Sequence, residues 1–310
     1  MPEEEKEVDV LIIGGGPGGL TAAIYASRAR RNTLVIDKVF PGGQLNYTAW
    51  IENFPSLVEG RVGMELAMQI TDQAKKFDAV IKMEEAREIK TASDSFMVKT
   101  NKRTIRARVV IIASGASWKT LDVPGEMNLA GKGVSYCATC DAALFRDKEV
   151  VVVGGGDTAL CEALFLTRFV KHLHLVHRRD GLRAEKILQE RAFNNDKIYF
   201  IWDSIVTRIT GDTKVEGIET KNKKTGETSN LSTEGVFIFV GNNPNTGFVP
   251  KKVKKNEQGQ IITNLHMETN IPGMYAVGDV RSESIRQVVA AVGDGATAAW
   301  YADKHLDSLD

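Results

Sequence analysis

Apolar runs in this chain alternate with glycine-rich turns and alanine-rich stretches. Residues 8–13 form a run of aliphatic and β-branched side chains, and the stretch at 20–30 that follows a glycine cluster is rich in alanine. These patterns predict a buried strand and a helix. A second apolar run at 33–36 ends at Asp37. Strand, glycine turn, helix and strand in this order predict the start of a parallel sheet covered by helices.

The same order returns in the middle of the chain. An apolar run at 149–153 precedes the glycine-rich segment 154–159, a predicted helix at 160–170 and a predicted strand at 172–176. Each half then continues with a polar, hairpin-like segment and another buried strand; the second hairpin has its predicted turn at 224–227. We therefore expect an α/β chain in which one Rossmann-like, three-layer nucleotide-binding unit is used twice.

The region after Pro250 starts no new glycine fingerprint. It contains a predicted strand at 260–263 and a predicted helix at 284–306. A segment of this size is small for a domain of its own, so we expect it to complete the first unit. The prediction is a discontinuous first domain, residues 1–117 and 247–310, with a second domain, residues 118–246, inserted into it.

The first glycine cluster fits the G-x-G-x-x-G spacing with Gly14, Gly16 and Gly19. In that fingerprint the first glycine permits a tight turn, the second lets the backbone approach a pyrophosphate, and the third lets helix and strand pack closely. Asp37 falls near the distance expected for an acid that binds a ribose hydroxyl. The complete strand–turn–helix–strand context favours a dinucleotide site over a glycine turn that holds no ligand.

The second cluster has Gly154 and Gly156, with Ala159 in the third, packing position. Three arginines follow its second strand: Arg178, Arg179 and Arg183. Guanidinium groups suit a ribose 2′-phosphate, whereas an acid would repel it. The alternative is a solvated basic patch, but a cation at a helix start lies at the unfavourable end of the dipole. We therefore expect NADP(H) here and, since two dinucleotide sites indicate electron transfer to a bound flavin, FAD in the first site.

Composition and charge exclude several classes of protein. The chain has 310 residues, 40 Lys and Arg against 40 Asp and Glu, and 43% hydrophobic residues. Zero net charge argues against nucleic acid and anionic lipid as partners. The acidic start does not resemble a signal peptide, and no apolar run approaches the roughly 18 residues of a membrane helix. We expect a cytoplasmic protein without membrane or nucleic-acid partners.

Two of the three cysteines, Cys137 and Cys140, form a C-x-x-C pair. This spacing allows a reversible disulfide and lowers one thiol pKa in many proteins. The alternative is zinc, whose further ligands would come from Cys161, His172, His174 and His177. No second C-x-x-C or H-x-x-x-H pair is present, which argues against zinc. Cys161 is predicted to be a small buried apolar residue.

Asp141 directly follows the cysteine pair. One interpretation is a helix-capping residue. The other is a general acid–base that protonates or deprotonates a sulfur during exchange. The two interpretations are compatible.

Several motifs together resemble the low-molecular-weight thioredoxin reductases. They are Cys137-Ala-Thr-Cys140-Asp141, His177-Arg-Arg-Asp-Gly-Leu-Arg-Ala184, and the segments 42–45, 52–55, 278–280 and 286–288. The resemblance spans residues 8–305. Ser56 and Ser114 stand where the family more often has Gly and Thr, and Asp157-Thr158 is one of several accepted variants.

The resemblance implies both cofactor sites, with the start of a helix near Arg286 facing the flavin. For FAD it implies Gly14, Gly16, Pro17, Gly19, Asp37, Lys38, Gly43, Gln44, Asn53, Gly115, Gly278, Asp279, Arg286, Gln287 and Val288. For NADPH it implies Gly154, Gly156, Asp157, Thr158, His177, Arg178, Arg179 and Arg183. It also implies a homodimer, and thioredoxin or a thioredoxin-like protein as partner.

The resemblance further implies a mechanism. Cys137 would attack the partner's disulfide, and Cys140, nearer the flavin, would resolve the mixed disulfide. Because nicotinamide and dithiol must reach one flavin, the domains would rotate about linkers at 117–121 and 241–250. The alternatives are a related reductase that uses reduced ferredoxin, NADH or another protein disulfide, a redox sensor without turnover, and a zinc-binding regulatory domain.

Overall fold

The computed structural model describes residues 6–48, 51, 53–92 and 94–309. Glu52 and the acidic start, residues 1–5, lie outside the described residues. The chain divides into two compact units, one of Met1–Ser117 with Asn243–Asp310 and the other of Trp118–Asn242. Within the described ranges, no helix has both the length and the apolar character needed to cross a bilayer.

The regular elements are numbered in chain order. The strands are β1 (Lys6–Ile13), β2 (Thr33–Asp37), β3 (Val80–Met83), β4 (Ala86–Thr91), β5 (Phe96–Thr100), β6 (Thr104–Ile112), β7 (Ala116–Trp118), β8 (Val134–Ser135), β9 (Glu149–Gly154), β10 (His172–Val176), β11 (Ile198–Ile201), β12 (Ser204–Thr210), β13 (Gly217–Asn222), β14 (Thr228–Ser232), β15 (Gly235–Phe239), β16 (Asn242–Pro244) and β17 (Met274–Ala276). The helices are α1 (Pro17–Arg28), α2 (Gly63–Lys76), α3 (Ala138–Asp141), α4 (Asp157–Leu166), α5 (Lys186–Phe193) and α6 (Val288–Asp307).

The first unit is built on a sheet in the order β3-β2-β1-β6-β5-β4, with β17 also paired to β6. Strands β1, β2, β3, β6 and β17 run parallel, whereas β4 and β5 are antiparallel. Apolar clusters cover both faces of this sheet, which is why its central strands read as continuous apolar runs. Ile13 lies opposite both Ile36 and Ile112, so the carboxyl ends of three parallel strands meet at one edge. Ligands bind at this edge in open α/β sheets.

The second unit repeats this plan with a parallel sheet in the order β11-β10-β9-β15-β8. A smaller antiparallel sheet, β12-β13-β14, packs its apolar face against it around Val206, Ile209 and Ile218. Gly226 adopts φ +78° within the predicted hairpin turn. Where the chain passes between the units, β7 and β16 form a two-stranded sheet.

Several element boundaries differ from the predicted ones. Helix α1 begins at Pro17, because proline suits the first helical position and Gly16 is its N-cap. Helix α6 begins at Val288 rather than 284, since Arg286 adopts the left-handed φ of +55° that a helix cannot contain. The predicted strand at 260–263 is reduced to isolated bridges at Ile261.

Candidate active site with two glycine turns and a cysteine pair

The first glycine turn connects β1 to α1 and is shaped by close backbone approaches. A Cβ added at Gly14, which has φ +113°, would lie 2.2 Å from the carbonyl oxygen of Ala113. One added at Gly19 would lie 1.9 Å from the carbonyl oxygen of Gly14. At Gly16, the N-cap of α1, nothing lies within 4 Å of such a Cβ. The open space therefore lies at the helix N-terminus, where free N–H groups fit the pyrophosphate of a dinucleotide.

Asp37, at the end of β2, braces this turn. Its Oδ2 accepts a hydrogen bond from Gly15 N at 2.6 Å, and its Oδ1 accepts one from Val39 N at 3.0 Å. Each carboxylate oxygen has a second acceptor position, so both hydroxyls of a ribose remain within its capacity. Lys38 beside it is exposed. The predicted ribose-binding acid therefore has the right chemistry and also holds the phosphate-binding turn in place.

A cavity of about 250 Å³ opens at this edge of the sheet. Three predicted residues line it, Gly14, Asp37 and Lys38, together with Ile13, Ile36, Glu84, Glu85, Ala86, Ser114, Asn245, Gly247 and Phe248. Asn245 donates from Nδ2 to Ser114 O at 2.8 Å, and Ser114 donates from Oγ to Asn245 O at 2.7 Å. No local sequence pattern marks Glu84 or Asn245 as cavity residues, because their position follows from pairing with distant parts of the chain.

The other predicted flavin-side residues surround the same turn or follow the sheet. Gly43 adopts φ +57°, and a Cβ added there would lie 3.1 Å from the Gly16 Cα. Gln44 donates to Ala116 O at 2.7 Å, while Gly115 adopts φ +62° with open space around it. Pro17 is the first residue of α1. These glycines and Pro17 are placed by backbone geometry and not by side-chain chemistry.

A second group precedes helix α6. Asn53 donates from Nδ2 to Gln287 Oε1 at 3.1 Å, and Gln287 is the N-cap of α6. Asp279 follows Gly278 in a short 3-10 turn, Gly278–Val280. Burial raises the pKa of the Asp279 carboxyl. The arrangement brings Asn53 and Gln287 together, although they are far apart in sequence.

Asp294 of α6 positions this turn and was missed by the sequence analysis. It is 7% exposed, accepts from Gly278 N at 2.9 Å, and forms a two-point ion pair with Arg281 at 2.7 and 2.8 Å. A buried carboxylate requires such partners, because burial without them is costly. In the sequence, only the presence of an acidic residue within the alanine-rich α6 pointed to a special role for Asp294.

The second glycine turn connects β9 to α4. A Cβ added at Gly154 would lie 2.6 Å from the Ala159 Cβ, as expected for the packing position of the fingerprint. Gly156 is the N-cap of α4, again with nothing within 4 Å. Asp157 accepts from Glu185 N at 2.7 Å through Oδ1, and Thr158 beside it is exposed. This helix start has the same open approach for a phosphate as the first one.

The arginines predicted for this site are fully available. Arg178, Arg179 and Arg183 are all exposed and follow β10. Arg183 N donates to Gly155 O at 2.8 Å, which fastens the arginine-bearing loop to the glycine turn. An anion at the turn would therefore meet guanidinium groups nearby.

His177 lies beneath the turn instead of beside it. Its side chain is 5% exposed, and its Nδ1 is 2.8 Å from Gly154 O. A Cβ added at Gly155 would lie 2.3 Å from the ring. Burial lowers the pKa of His177, which favours the neutral ring. The ring thus supports the backbone of the turn; direct contact with a cofactor stays a prediction.

The cysteine pair is a disulfide in the second unit. Cys137 and Cys140 are joined, with their Cα atoms 5.4 Å apart, and both residues are partly buried. Cys137 is the N-cap of the short helix α3, and Ala138 N donates to Glu162 Oε2 at 3.0 Å. The pair is therefore formed by one helical turn, as the C-x-x-C spacing predicts.

Asp141, at the end of α3, does not cap this helix. Its Oδ2 accepts from Ser135 Oγ at 2.7 Å, and its Oδ1 is buried without a partner among the described residues. Burial raises the pKa of Asp141, while the bond from Ser135 lowers it to a smaller extent. Asp141 does occupy the N-cap position of a short 3-10 helix, Ala142–Phe145, but its side chain makes no capping hydrogen bond there and turns toward Ser135 instead. A carboxyl that keeps its proton more readily than usual suits a general acid.

Glu126 forms a buried network that the sequence did not reveal. Its carboxylate is fully buried and accepts from Leu121 N at 3.0 Å, Asp122 N at 2.9 Å and Tyr136 Oη at 2.8 Å. The Tyr136 ring stacks on Trp118 at 5.0 Å between centroids. Tyr136 directly precedes Cys137. The network therefore ties part of the predicted linker 117–121 to the segment that carries the dithiol.

Replacing Glu126 by glutamine is expected to destabilise the protein by about 2 kcal/mol, because an amide nitrogen would face buried donors. Urea denaturation measures the loss, and hydrogen exchange at Leu121 and Asp122 should accelerate. Tyr136→Phe should cost about 1 kcal/mol. Glu216→Gln, at an exposed position, is the matched control. Unchanged exchange at Leu121 and Asp122 in Glu126→Gln would contradict this role.

Cys161 was predicted to be buried, and this is wrong: it is exposed and unpaired with other cysteines. The buried stripe of α4 consists of Ala159, Leu160, Ala163 and Leu166, and Cys161 lies beside it. In the described part of the chain, no group of three or more His, Cys, Asp or Glu side chains forms a metal-binding cluster.

Comparison with known proteins identifies the family. The chain matches the pyridine nucleotide-disulphide oxidoreductase family over residues 8–295. It is 45% identical to the thioredoxin reductase of Bacillus subtilis (strain 168) over 307 residues, 99% of this chain and 97% of that protein. The crystal structure of thioredoxin reductase from Streptococcus pyogenes MGAS5005 is 46% identical with a TM-score of 0.89, covering 98% of this chain and 100% of that one. Lactococcus lactis thioredoxin reductase in its FR conformation is 45% identical with a TM-score of 0.72, covering 97% and 99%. The chain thus belongs to the pyridine nucleotide-disulphide oxidoreductase family and, within it, to the thioredoxin reductases.

Proposed function

We propose that this protein is an NADPH-dependent FAD flavoenzyme that reduces the disulfide of thioredoxin or a thioredoxin-like protein. The observation that carries the proposal is the Cys137–Cys140 disulfide with the buried carboxyl of Asp141 beside it. Both lie in the unit that also contains the second glycine turn and its arginines. A reversible dithiol and a phosphate-binding turn in one unit fit a reductase that takes electrons from a nicotinamide.

FAD fits the first unit. Gly16 leaves open space at the start of α1, Asp37 has acceptor positions for a ribose, and a cavity of about 250 Å³ lies beside them. Bound flavin would supply the chemistry that joins hydride transfer to disulfide reduction. The chain's own residues would hold it: Gly14–Gly19 for the pyrophosphate, Asp37 for the ribose, and the Asn53, Asp279 and Gln287 group for the remainder.

Replacing Asp37 by alanine is expected to weaken FAD binding by about tenfold or more, because hydrogen bonds to a charged group contribute about 1.5–3 kcal/mol each. The loss combines the missing ribose contact with a less ordered glycine turn. Flavin retained after gel filtration, and the FAD dissociation constant of the stripped protein, measure it. The control is Asp72→Ala on the exposed face of α2. Undiminished FAD affinity in Asp37→Ala would remove Asp37 from the site.

NADPH fits the second turn. The N-terminus of α4 would bind the pyrophosphate, and Arg178, Arg179 and Arg183 would bind the 2′-phosphate. His177 would keep the turn in shape from below. The arginines favour NADPH over NADH, since NADH has no 2′-phosphate for them to bind.

The dithiol would cycle with balanced electrons and protons. Two electrons break the Cys137–Cys140 bond and leave two thiolates, and Asp141 gives its proton to one of them. The Cys137 thiolate then attacks the partner's disulfide, which forms a mixed disulfide and releases one partner thiolate. Asp141 takes the proton back from Cys140, whose thiolate displaces the second partner thiolate and restores the Cys137–Cys140 bond. The partner thiolates take protons from water.

Rotation of the two domains, residues 1–117 with 247–310 against 118–246, would present nicotinamide and dithiol to the flavin in turn. The two solved relatives named above match this chain at nearly equal identity but with TM-scores of 0.89 and 0.72. This difference indicates that these relatives differ from each other in overall arrangement. A homodimer and a cytoplasmic location complete the proposal.

The test is NADPH oxidation by the purified yellow protein with and without oxidised thioredoxin. We expect oxidation that depends on thioredoxin, with NADH a poor substitute and reduced ferredoxin inactive. Equal rates with NADH or ferredoxin would favour the alternative electron donors. Oxidation of NADPH without formation of thioredoxin thiols would refute the proposed function.

A further inference from the structure

Among the described residues outside the dithiol turn, Ser135 is the hydrogen-bond partner of Asp141. The serine is 5% exposed at the end of β8, and its Oγ lies 2.7 Å from Asp141 Oδ2. Strand β8 pairs in parallel with β15, which places Ser135 opposite Phe237. The backbone of Ser135 is therefore held by the parallel sheet of the second unit, at its β8 edge.

The other contacts of Ser135 determine where its proton points. Its Oγ accepts from Cys137 N at 3.1 Å and lies 3.2 Å from Cys137 O. A hydroxyl has one proton to donate, and the contact to Asp141 Oδ2 is the shorter of its two acceptor contacts. The proton of Ser135 is therefore donated to Oδ2, while Cys137 N fixes the serine oxygen from the other side.

This arrangement separates the two oxygens of Asp141. Oδ2 is engaged by Ser135, whereas Oδ1 is buried and has no partner within the described ranges. A buried oxygen without a partner is where a carboxyl gains most from holding a proton, because a bare charge there is costly. The bond from Ser135 also prevents the carboxyl from turning over and exchanging its two oxygens.

We infer that Ser135 is a positioning residue for the dithiol reaction: it fixes the Asp141 carboxyl so that Oδ1 holds the proton and transfers it to a sulfur. The inference rests on the proposed function. In each turnover Oδ1 gives one proton to a thiolate and later takes it back, while Ser135 keeps its own proton and stabilises the carboxylate formed in between. The serine is not itself a catalytic residue.

The charged groups around Asp141 are few. Helix α4, which packs against α3, carries Asp157, Cys161 and Glu162, and the Glu162 carboxylate is bonded to Ala138 N. Tyr136 precedes the pair, and burial raises the pKa of its hydroxyl so that it stays neutral. Strands β8 and β15 contribute no titratable side chain within their bounds. Burial and the Ser135 bond are therefore the influences to test on the pKa of Asp141.

The experiment measures the pH dependence of the rate at which the Cys137–Cys140 disulfide is reduced after mixing with NADPH without oxygen, followed by rapid quenching and thiol counting, because this is the step in which Asp141 gives its proton to a thiolate. Because the acid form of Asp141 is required, the rate should fall at alkaline pH as the carboxyl ionises. Ser135→Ala should lower the rate at neutral pH by about tenfold and move this alkaline limb to higher pH, since the bond that favours the charged form is lost. Ser135→Thr keeps a hydroxyl, so its alkaline limb should lie at the same pH as that of the wild type. Ser232→Ala, at an exposed serine of β14, should match the wild type.

A Ser135→Ala profile that is lowered equally at every pH would overturn the inference, since a purely structural role predicts that result. Infrared difference spectra of wild type before and after NADPH give a second measurement, which does not require Ser135→Ala to fold. They should show loss of a carboxylic acid band that is missing in Asp141→Asn, and absence of this band in wild type would also overturn the inference. Wild type that fails to reduce thioredoxin at all refutes the proposed function itself and removes the basis of this inference.

Discussion

Replacing Cys140 by serine should abolish thioredoxin reduction, with kcat lowered by a factor of about 10⁴ or more. The hydroxyl of serine is not ionised near neutral pH and cannot resolve a mixed disulfide at Cys137. Reduction of the flavin by NADPH should continue, because it does not involve the dithiol. Stopped-flow absorbance of flavin bleaching and steady-state thioredoxin reduction measure the two steps separately.

Cys161 gives this prediction a matched control in the same unit. The residue as a whole is exposed. Partial desolvation of its sulfur, together with the nearby charges of Asp157 and Glu162, raises the pKa of the thiol, so the thiol is a poor nucleophile at neutral pH. Cys161→Ser should leave both steps unchanged. Normal thioredoxin reduction by Cys140→Ser, or a comparable loss in Cys161→Ser, would show that electrons do not pass through the Cys137–Cys140 pair.

Removing the guanidinium groups of Arg178 and Arg179 should raise the KM for NADPH by about 10²-fold or more. Each charge-assisted hydrogen bond to a phosphate contributes about 1.5–3 kcal/mol, and every 1.4 kcal/mol is a factor of ten. The KM for NADH should change by less than about threefold, because NADH lacks the 2′-phosphate and exposed charges without that partner contribute little. Steady-state kinetics of Arg178→Ala/Arg179→Ala with both nucleotides measure this change in preference.

The control for the arginine prediction is Arg208→Ala in β12, which removes an exposed guanidinium away from the second glycine turn. It should leave the KM for both nucleotides unchanged. If Arg178→Ala/Arg179→Ala raises the KM for NADH as strongly as the KM for NADPH, the arginines do not recognise the 2′-phosphate. The basic cluster is then a solvated surface patch.

Local patterns in the sequence were sufficient for the two glycine turns. The spacing of Gly14, Gly16 and Gly19 predicted a tight turn, an open backbone and a close helix–strand contact, and added Cβ atoms at these positions meet the expected neighbours or none. The parallel strands of both sheets followed from apolar runs that are buried on both faces. These features depend on residues near one another in the chain, so a pattern can express them.

Side-chain contacts that depend on how an irregular segment folds could not be predicted in this way. Ser135 meets Asp141 across 6 residues and Glu126 meets Tyr136 across 10, and neither pair lies within one helix or strand whose period would reveal the contact. The resemblance implied a cofactor contact for His177, yet its ring is buried beneath Gly155. Cys161 was wrongly predicted to be buried because the prediction relied on the usual burial of free cysteine. Its exposure is set by its position on α4, which lies beside the buried stripe of that helix.

The central claim is that electrons from NADPH reach thioredoxin through Cys137 and Cys140. The enzyme is reduced with NADPH without oxygen, separated from nucleotide, mixed with oxidised thioredoxin, and the new thioredoxin thiols are counted. We predict a burst of thiols from wild type in proportion to enzyme, and none from Cys140→Ser. No burst from wild type, or an equal burst from both proteins, would contradict the account.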